Sequence, residues 1–157
     1  MNISDLLSIE RVRADIEVSS KKNLLETASE LLALGSPALT PTAIFDSLNG
    51  RERLGSTGLG GGIAIPHGRT AGTRRPIGAF LRIAPPIAYD AVDGNPVDLV
   101  FALLVPEDSP QDHLELLSKL AGLFNESSFI EHLRSAPADT ILEAFLDAEQ
   151  AEGEASK

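Results

Sequence analysis

The stretch Ile63-Ala64-Ile65-Pro66-His67-Gly68 holds one of only three histidines in a chain of 157 residues. Pro66 locks its own φ and drives Ile65 into an extended conformation, while Gly68 allows the backbone to turn sharply. These neighbours predict an imidazole presented at the end of a strand. Near neutral pH an ordinary imidazole, with a pKa of about 6.5, carries one unprotonated ring nitrogen able to attack an electrophile. If the other nitrogen donates to a backbone carbonyl, the tautomer is fixed and one nitrogen alone is the nucleophile. A turn histidine with no chemical task fits the same residues, so composition and spacing leave both readings open.

Other side chains with the right chemistry lie around it. Arg51, sixteen residues earlier, closes the second predicted helix. Its planar guanidinium suits phosphoryl oxygens, and it equally suits a surface position at a helix C-terminus. His113 falls in the first turn of the helix after the most apolar strand, a place where α/β proteins commonly hold ligands. Alone it reads as an exposed helical histidine; beside His67 it can donate a hydrogen bond to a phosphate. His132 has only a structural reading. The glycine cluster "GSTGLGGG" lacks the Gly-Lys-Ser/Thr of a nucleotide loop and precedes a strand where a dinucleotide fingerprint would open a helix. Its better use is to bring backbone amides and the hydroxyls of Ser56 and Thr57 close to whatever His67 holds, with Gly68 completing that surround. Three dispersed histidines without ligand-spaced carboxylates argue against a metal site, and no cofactor is expected.

Composition narrows the chemistry further. The chain has no cysteine, so disulfides, thiolate nucleophiles and Cys-ligated metals are excluded. A net charge of −10 opposes sequence-independent nucleic-acid binding. The charge is uneven, however: Arg51 to Arg82 contains six arginines and one acid, a local +5, and this island surrounds His67 in the sequence. Such a positive field suits a site that receives an anionic group. No signal peptide is evident, and the apolar run from Leu99 to Val105 is too short to cross a bilayer, so the protein is expected in the cytosol without membrane insertion.

The positioning elements can be read in order. Residues 3 to 7 suggest a helical turn and 14 to 19 a short strand. Ser19 or Ser20 caps a helix whose inner face is Leu24, Leu25, Ala28, Leu31 and Leu32, and Thr40-Pro41 starts another that buries Ile44, Phe45 and Leu48. The glycines from 55 to 62 break regular structure. Residues 62–66, 76–83 and 96–106 are β-like, the last apolar enough to be covered on both faces. Ser109, Pro110 and Asp112 open a helix with Leu114, Leu117, Leu120 and Ala121 inward. Short and longer helices follow at 129–133 and 138–150, then a disordered tail over the last residues. This order predicts a single-domain α/β sandwich: a mixed, mostly parallel sheet of about five strands flanked by helices on both faces.

Two segments, "RERLGSTGLGGGIAIPHG" and "DGNPVDLVFALLVPEDSPQDHLELLSKLAGLF", closely resemble the nitrogen-regulatory enzyme IIA proteins of the bacterial phosphotransferase system, which belong with the fructose and mannitol type IIA domains. The likeness runs from about residue 3 to residue 149, leaving 150–157 as tail. It implies that His67 accepts a phosphoryl group on Nε2 from a phosphohistidine of a small HPr-like carrier, with Arg51 and His113 flanking it. It further implies regulated partners such as potassium-transport or sensor-kinase components; a homo-oligomer is compatible with it. A sugar-specific subunit passing phosphate to a IIB component, or a non-catalytic binding module of the same fold, is the alternative. Gly60, Gly62, Ile63, Pro66 and Gly68 fit the pattern, and Gly61 departs from it where relatives often carry asparagine or another polar residue.

Overall fold

The computed structural model describes residues 2–108 and 110–155. Two predicted caps set its first helices. Ser20 Oγ accepts from the Asn23 N–H at 3.0 Å, and Thr40 Oγ1 from the Ala43 N–H at 3.1 Å, with Pro41 supplying a first residue that has no N–H to satisfy. They start α1 (Lys21–Ala33) and α2 (Pro41–Glu52). Ahead of them β1 covers Val12–Ile16, earlier than the strand predicted at 14–19. The residues just after it are claimed by the helix cap instead: the Ser19 N–H donates to Asn23 Oδ1.

The glycine cluster forms regular structure rather than breaking it. Strands β2 (Gly58–Gly60) and β3 (Ile63–Ala64) pair antiparallel across a turn in which Gly60, Gly61 and Gly62 all have positive φ. A side chain at any of them would strain this tight reversal. After β4 (His67–Thr70) come the long strands β5 (Ile77–Ile87) and β6 (Val97–Pro106). The sheet order is β1-β5-β6-β3-β2, with β4 also pairing with β6. Pairs β1/β5, β3/β6 and β4/β6 are parallel, whereas β5/β6 and β2/β3 are antiparallel. The sheet is therefore mixed and mostly parallel as predicted, with six strands in place of about five.

Strand β6 is the spine of the core, since alternate residues of a strand point to opposite faces. Leu99, Phe101, Leu103 and Val105 join Phe80, Phe124 and Phe145 in one cluster; Val100, Ala102 and Leu104 join Leu24, Leu32, Ile44 and Leu48 in the other. Helices α1 and α2 cover the second face. The first is covered by α3 (Pro110–Leu123), α4 (Ser127–Ser135) and α5 (Ile141–Ala155). No helix among the described residues is long and apolar enough to cross a membrane.

Three expectations need correction. The buried stripe of α3 is His113, Leu116, Leu120 and Leu123, while Leu114 and Ala121 are exposed and Leu117 is half-buried. Leucines at 114, 116, 117 and 120 offer two overlapping helical stripes, and the choice falls to the one that meets the aromatic cluster. Next, α5 continues through Ala155 instead of yielding to a tail near residue 150, in keeping with the helix-forming Ala and Glu of that stretch. Ser109, the predicted cap of α3, lies outside the described residues.

The third concerns Gly68, which sits within β4 and makes no sharp turn. Its role is close approach to α2: a Cβ there would fall 3.1 Å from the Ser47 Cβ, and Ser47 Oγ already donates to the Arg69 carbonyl at 2.9 Å. Gly68→Ala is expected to destabilise the fold by roughly 1–3 kcal/mol through overpacking. Chemical denaturation checks this, and an unchanged midpoint would mean that α2 moves away freely.

Candidate active site

Strands β3 and β4 both pair with β6, and Ile65-Pro66 bridges them; the ladder is maintained where the Leu103 N–H donates to the Pro66 carbonyl at 2.9 Å. His67 opens β4, and its ring folds back on the chain so that Nδ1 lies 2.8 Å from the Ile65 carbonyl oxygen. A carbonyl only accepts. Nδ1 therefore carries the proton of the neutral ring, and Nε2 carries the lone pair. Although only 8% exposed, His67 borders two clefts. The larger, about 630 Å³, is shared with Arg51, Arg69, His113 and Leu114. The smaller, about 320 Å³, is shared with Arg51, Ser56, Thr57 and Leu59.

Burial pushes the His67 pKa below its ordinary value, the Ile65 hydrogen bond and the Glu52 charge oppose this, and the guanidinium charges of Arg51 and Arg69 add to the lowering. The ring is thus neutral at physiological pH, the state in which a nitrogen is nucleophilic. His113 meets it edge-on, ring centroids 5.2 Å apart and planes perpendicular. It is only 6% exposed, contrary to the exposed helical histidine it suggests in isolation. Its pKa is pushed down to about 4 by burial first, then by His67, Arg69 and Arg51.

That depression predicts a pH effect on stability. A histidine whose folded pKa lies below its unfolded value favours the neutral form in the fold. Its contribution is present above about pH 6.5 and is lost as pH falls through about 4, at most about 3 kcal/mol. His67 acts in the same direction. Unfolding free energy measured between pH 6.5 and 4 should fall more steeply in the wild type than in His113→Phe; equal slopes would contradict the assignment.

The structure brings His67, Arg51 and His113 to one cleft. Arg51, in the last turn of α2, spends one of its five N–H donors on the Gly55 carbonyl at 2.9 Å. The loop hydroxyls are otherwise engaged: Ser56 Oγ donates to the Tyr89 carbonyl and accepts from the Gly58 N–H, and Thr57 Oγ1 bonds Glu52 and lies 3.1 Å from the Tyr89 hydroxyl. The arginine island divides. Arg51 and Arg69 line the cleft, whereas Arg82 donates to the Leu133 and Ala136 carbonyls and pairs with Asp15.

Two participants counted in the basic island had no individual role in the sequence reading. Arg69 had a usable signal, since residues two apart on a strand share a face and His67 was already singled out. Glu52 had none. It is a buried carboxylate that accepts from the Thr57 N–H and the Tyr89 hydroxyl, both at 2.8 Å, and pairs with Lys21 at 3.4 Å. Burial and the Glu52 charge together push the Tyr89 hydroxyl far above its ordinary pKa.

This geometry can be set beside known proteins. The family model described as "Phosphoenolpyruvate-dependent sugar phosphotransferase system, EIIA 2" matches residues 5–148. A "Nitrogen regulatory protein" of Pseudomonas aeruginosa is 41% identical over 150 residues, covering 95% of this chain and 97% of that protein. Another of the same name from Escherichia coli K12 is 43% identical over 140 residues, covering 88% and 85%. Among solved structures, the nitrogen regulatory protein IIA-Ntr of Neisseria meningitidis superposes with a TM-score of 0.87 at 46% identity, covering 91% of this chain and 98% of that one.

Proposed function

Because the chain belongs to the EIIA 2 family of the phosphoenolpyruvate-dependent sugar phosphotransferase system, we propose that it is a regulatory phosphocarrier: His67 accepts a phosphoryl group from a phosphohistidine on an HPr-like protein. The modified and unmodified forms then act differently on partner proteins in the cytoplasm. The names of these relatives favour the nitrogen-regulatory branch over a sugar-specific one. The observation that carries the reading is the His67–Ile65 hydrogen bond, which leaves Nε2 as the acceptor nitrogen on a cleft with two guanidinium groups.

In the transfer, the Nε2 lone pair forms a new N–P bond as the N–P bond to the donor imidazole breaks and its electron pair returns to the donor nitrogen. No proton leaves His67. Its ring gains positive character while Nδ1–H remains on the Ile65 carbonyl, which stabilises that charge. Positioning and charge compensation dominate such a step. Arg51 has further donors for the phosphoryl oxygens, Arg69 adds charge from β4, and His113 lines the cleft from α3. A phosphoryl group offsets the positive field of the cleft, so a partner that reads this face meets two different surfaces.

The rim suits a protein donor. Leu54 is 84% and Leu114 66% exposed, and both border the cleft shared by His67 and Arg51. Apolar residues around a charged centre exclude water when a partner docks. Intact-mass measurement after incubation with phosphoenolpyruvate, enzyme I and the HPr-like carrier tests the proposal. The expected result is a gain of one phosphoryl group; no gain under conditions that phosphorylate the carrier would overturn it in favour of a binding module.

A further inference from the structure

The phosphoacceptor ring is held by a chain of bonds that begins at a buried group lining neither cleft. The buried Glu52 carboxylate accepts from the Thr57 N–H at 2.8 Å; the Thr57 carbonyl accepts from the Ile65 N–H at 3.1 Å; the Ile65 carbonyl faces His67 Nδ1 at 2.8 Å. Each link uses the N–H and the carbonyl of one residue, which belong to different peptide groups. Position is therefore transmitted along the chain more than electronic polarisation is.

Glu52 also sits next to Arg51. The Gly55 N–H donates to the Glu52 carbonyl at 3.2 Å, and Arg51 Nη1 donates to the Gly55 carbonyl at 2.9 Å. One residue thus ties down both the loop that orients the imidazole and the turn that holds the guanidinium. Its carboxylate is fixed in turn by the Thr57 and Tyr89 hydroxyls and by Lys21, whose ammonium also lies 4.5 Å from the centre of the Tyr89 ring. A buried carboxylate so fully partnered is costly to disturb, which makes it a rigid anchor.

Resting on the reading of His67 as the phosphoacceptor, we propose that Glu52 is a positioning residue for phosphoryl transfer, its carboxylate holding the His67 ring in the tautomer that frees Nε2. A glutamine at this place has the same shape, yet it carries no charge for Lys21 and turns an NH2 toward donors. The Thr57 N–H then loses part of its anchor, and the loop and ring gain freedom.

The test uses Glu52→Gln and Thr57→Val in the full chain, with folding followed by circular dichroism. Nitrogen-15 NMR of the His67 ring reads the tautomer, and transfer from the phosphorylated carrier is timed separately. In the wild type a single tautomer, protonated at Nδ1, is expected. In Glu52→Gln the ring should populate both tautomers and transfer should slow about tenfold or more. Thr57→Val, which loses the hydroxyl but keeps the N–H bond, should shift both readouts in the same direction by less, and carries the test alone if Glu52→Gln does not fold. Wild-type tautomer and rate in the folded variants overturn the proposal. The ring readout needs no phosphorylation, so a wild type that takes up no phosphate, with the tautomer shift still present in the variants, would sink the phosphocarrier reading and leave the anchoring intact.

Discussion

His67→Ala will take up no phosphate from the carrier while retaining the wild-type fold. The loss should be complete because neither remaining histidine can substitute. Among the described residues His113 Nδ1 is buried without a hydrogen-bond partner, so no such bond fixes its ring as Ile65 fixes that of His67, while His132 lies in α4. The fold should survive because His67 contributes a ring at the edge of a cleft and not a member of either apolar cluster. Intact mass and thermal unfolding of the same preparation separate the two effects. Uptake of phosphate by the folded variant would place the acceptor elsewhere.

Arg51→Ala should slow transfer about a hundredfold or more, in the range seen when one preorganised charge-stabilising donor is removed. Its structural bond, to the Gly55 carbonyl, is exposed to solvent, so the cost to stability should stay near 1 kcal/mol. Arg69 keeps part of the positive field and prevents a total loss. Transfer rates measured at matched carrier concentration check this. Equal rates would remove Arg51 from the path of the phosphoryl group.

What could be read in advance was what local chemistry decides. Ser20, Thr40 and Pro41 mark helix starts because a cap is satisfied within its own first turn, and β6 is legible because a strand buried on both faces needs an unbroken apolar run. Pro66 and His67 are legible for the same reason: the ring bonds a carbonyl only two residues away. Where two solutions were locally equal, tertiary packing chose. The leucines of α3 allow either of two stripes, and only the aromatic cluster beneath them selects the one with Leu116 and Leu123. Gly68 reads as a turn residue until the approach of Ser47 is known.

The site divides along the same line. Arg51 and Arg69 were visible as charge, but charge alone did not distinguish them from Arg82, whose guanidinium serves the carbonyls at the end of α4. Glu52 was hidden most completely. In sequence it is one acid among arginines, and its burial depends on Tyr89 and Lys21, which arrive from another loop and another helix.

The central claim is that Nε2 of His67 is the free nitrogen. Phosphorus-coupled nitrogen-15 NMR of the phosphorylated, histidine-labelled protein addresses it directly. A phosphorus coupling to Nε2 of His67, with the proton retained on Nδ1, is the predicted result; a phosphoryl group on Nδ1, or on any other residue, would contradict it.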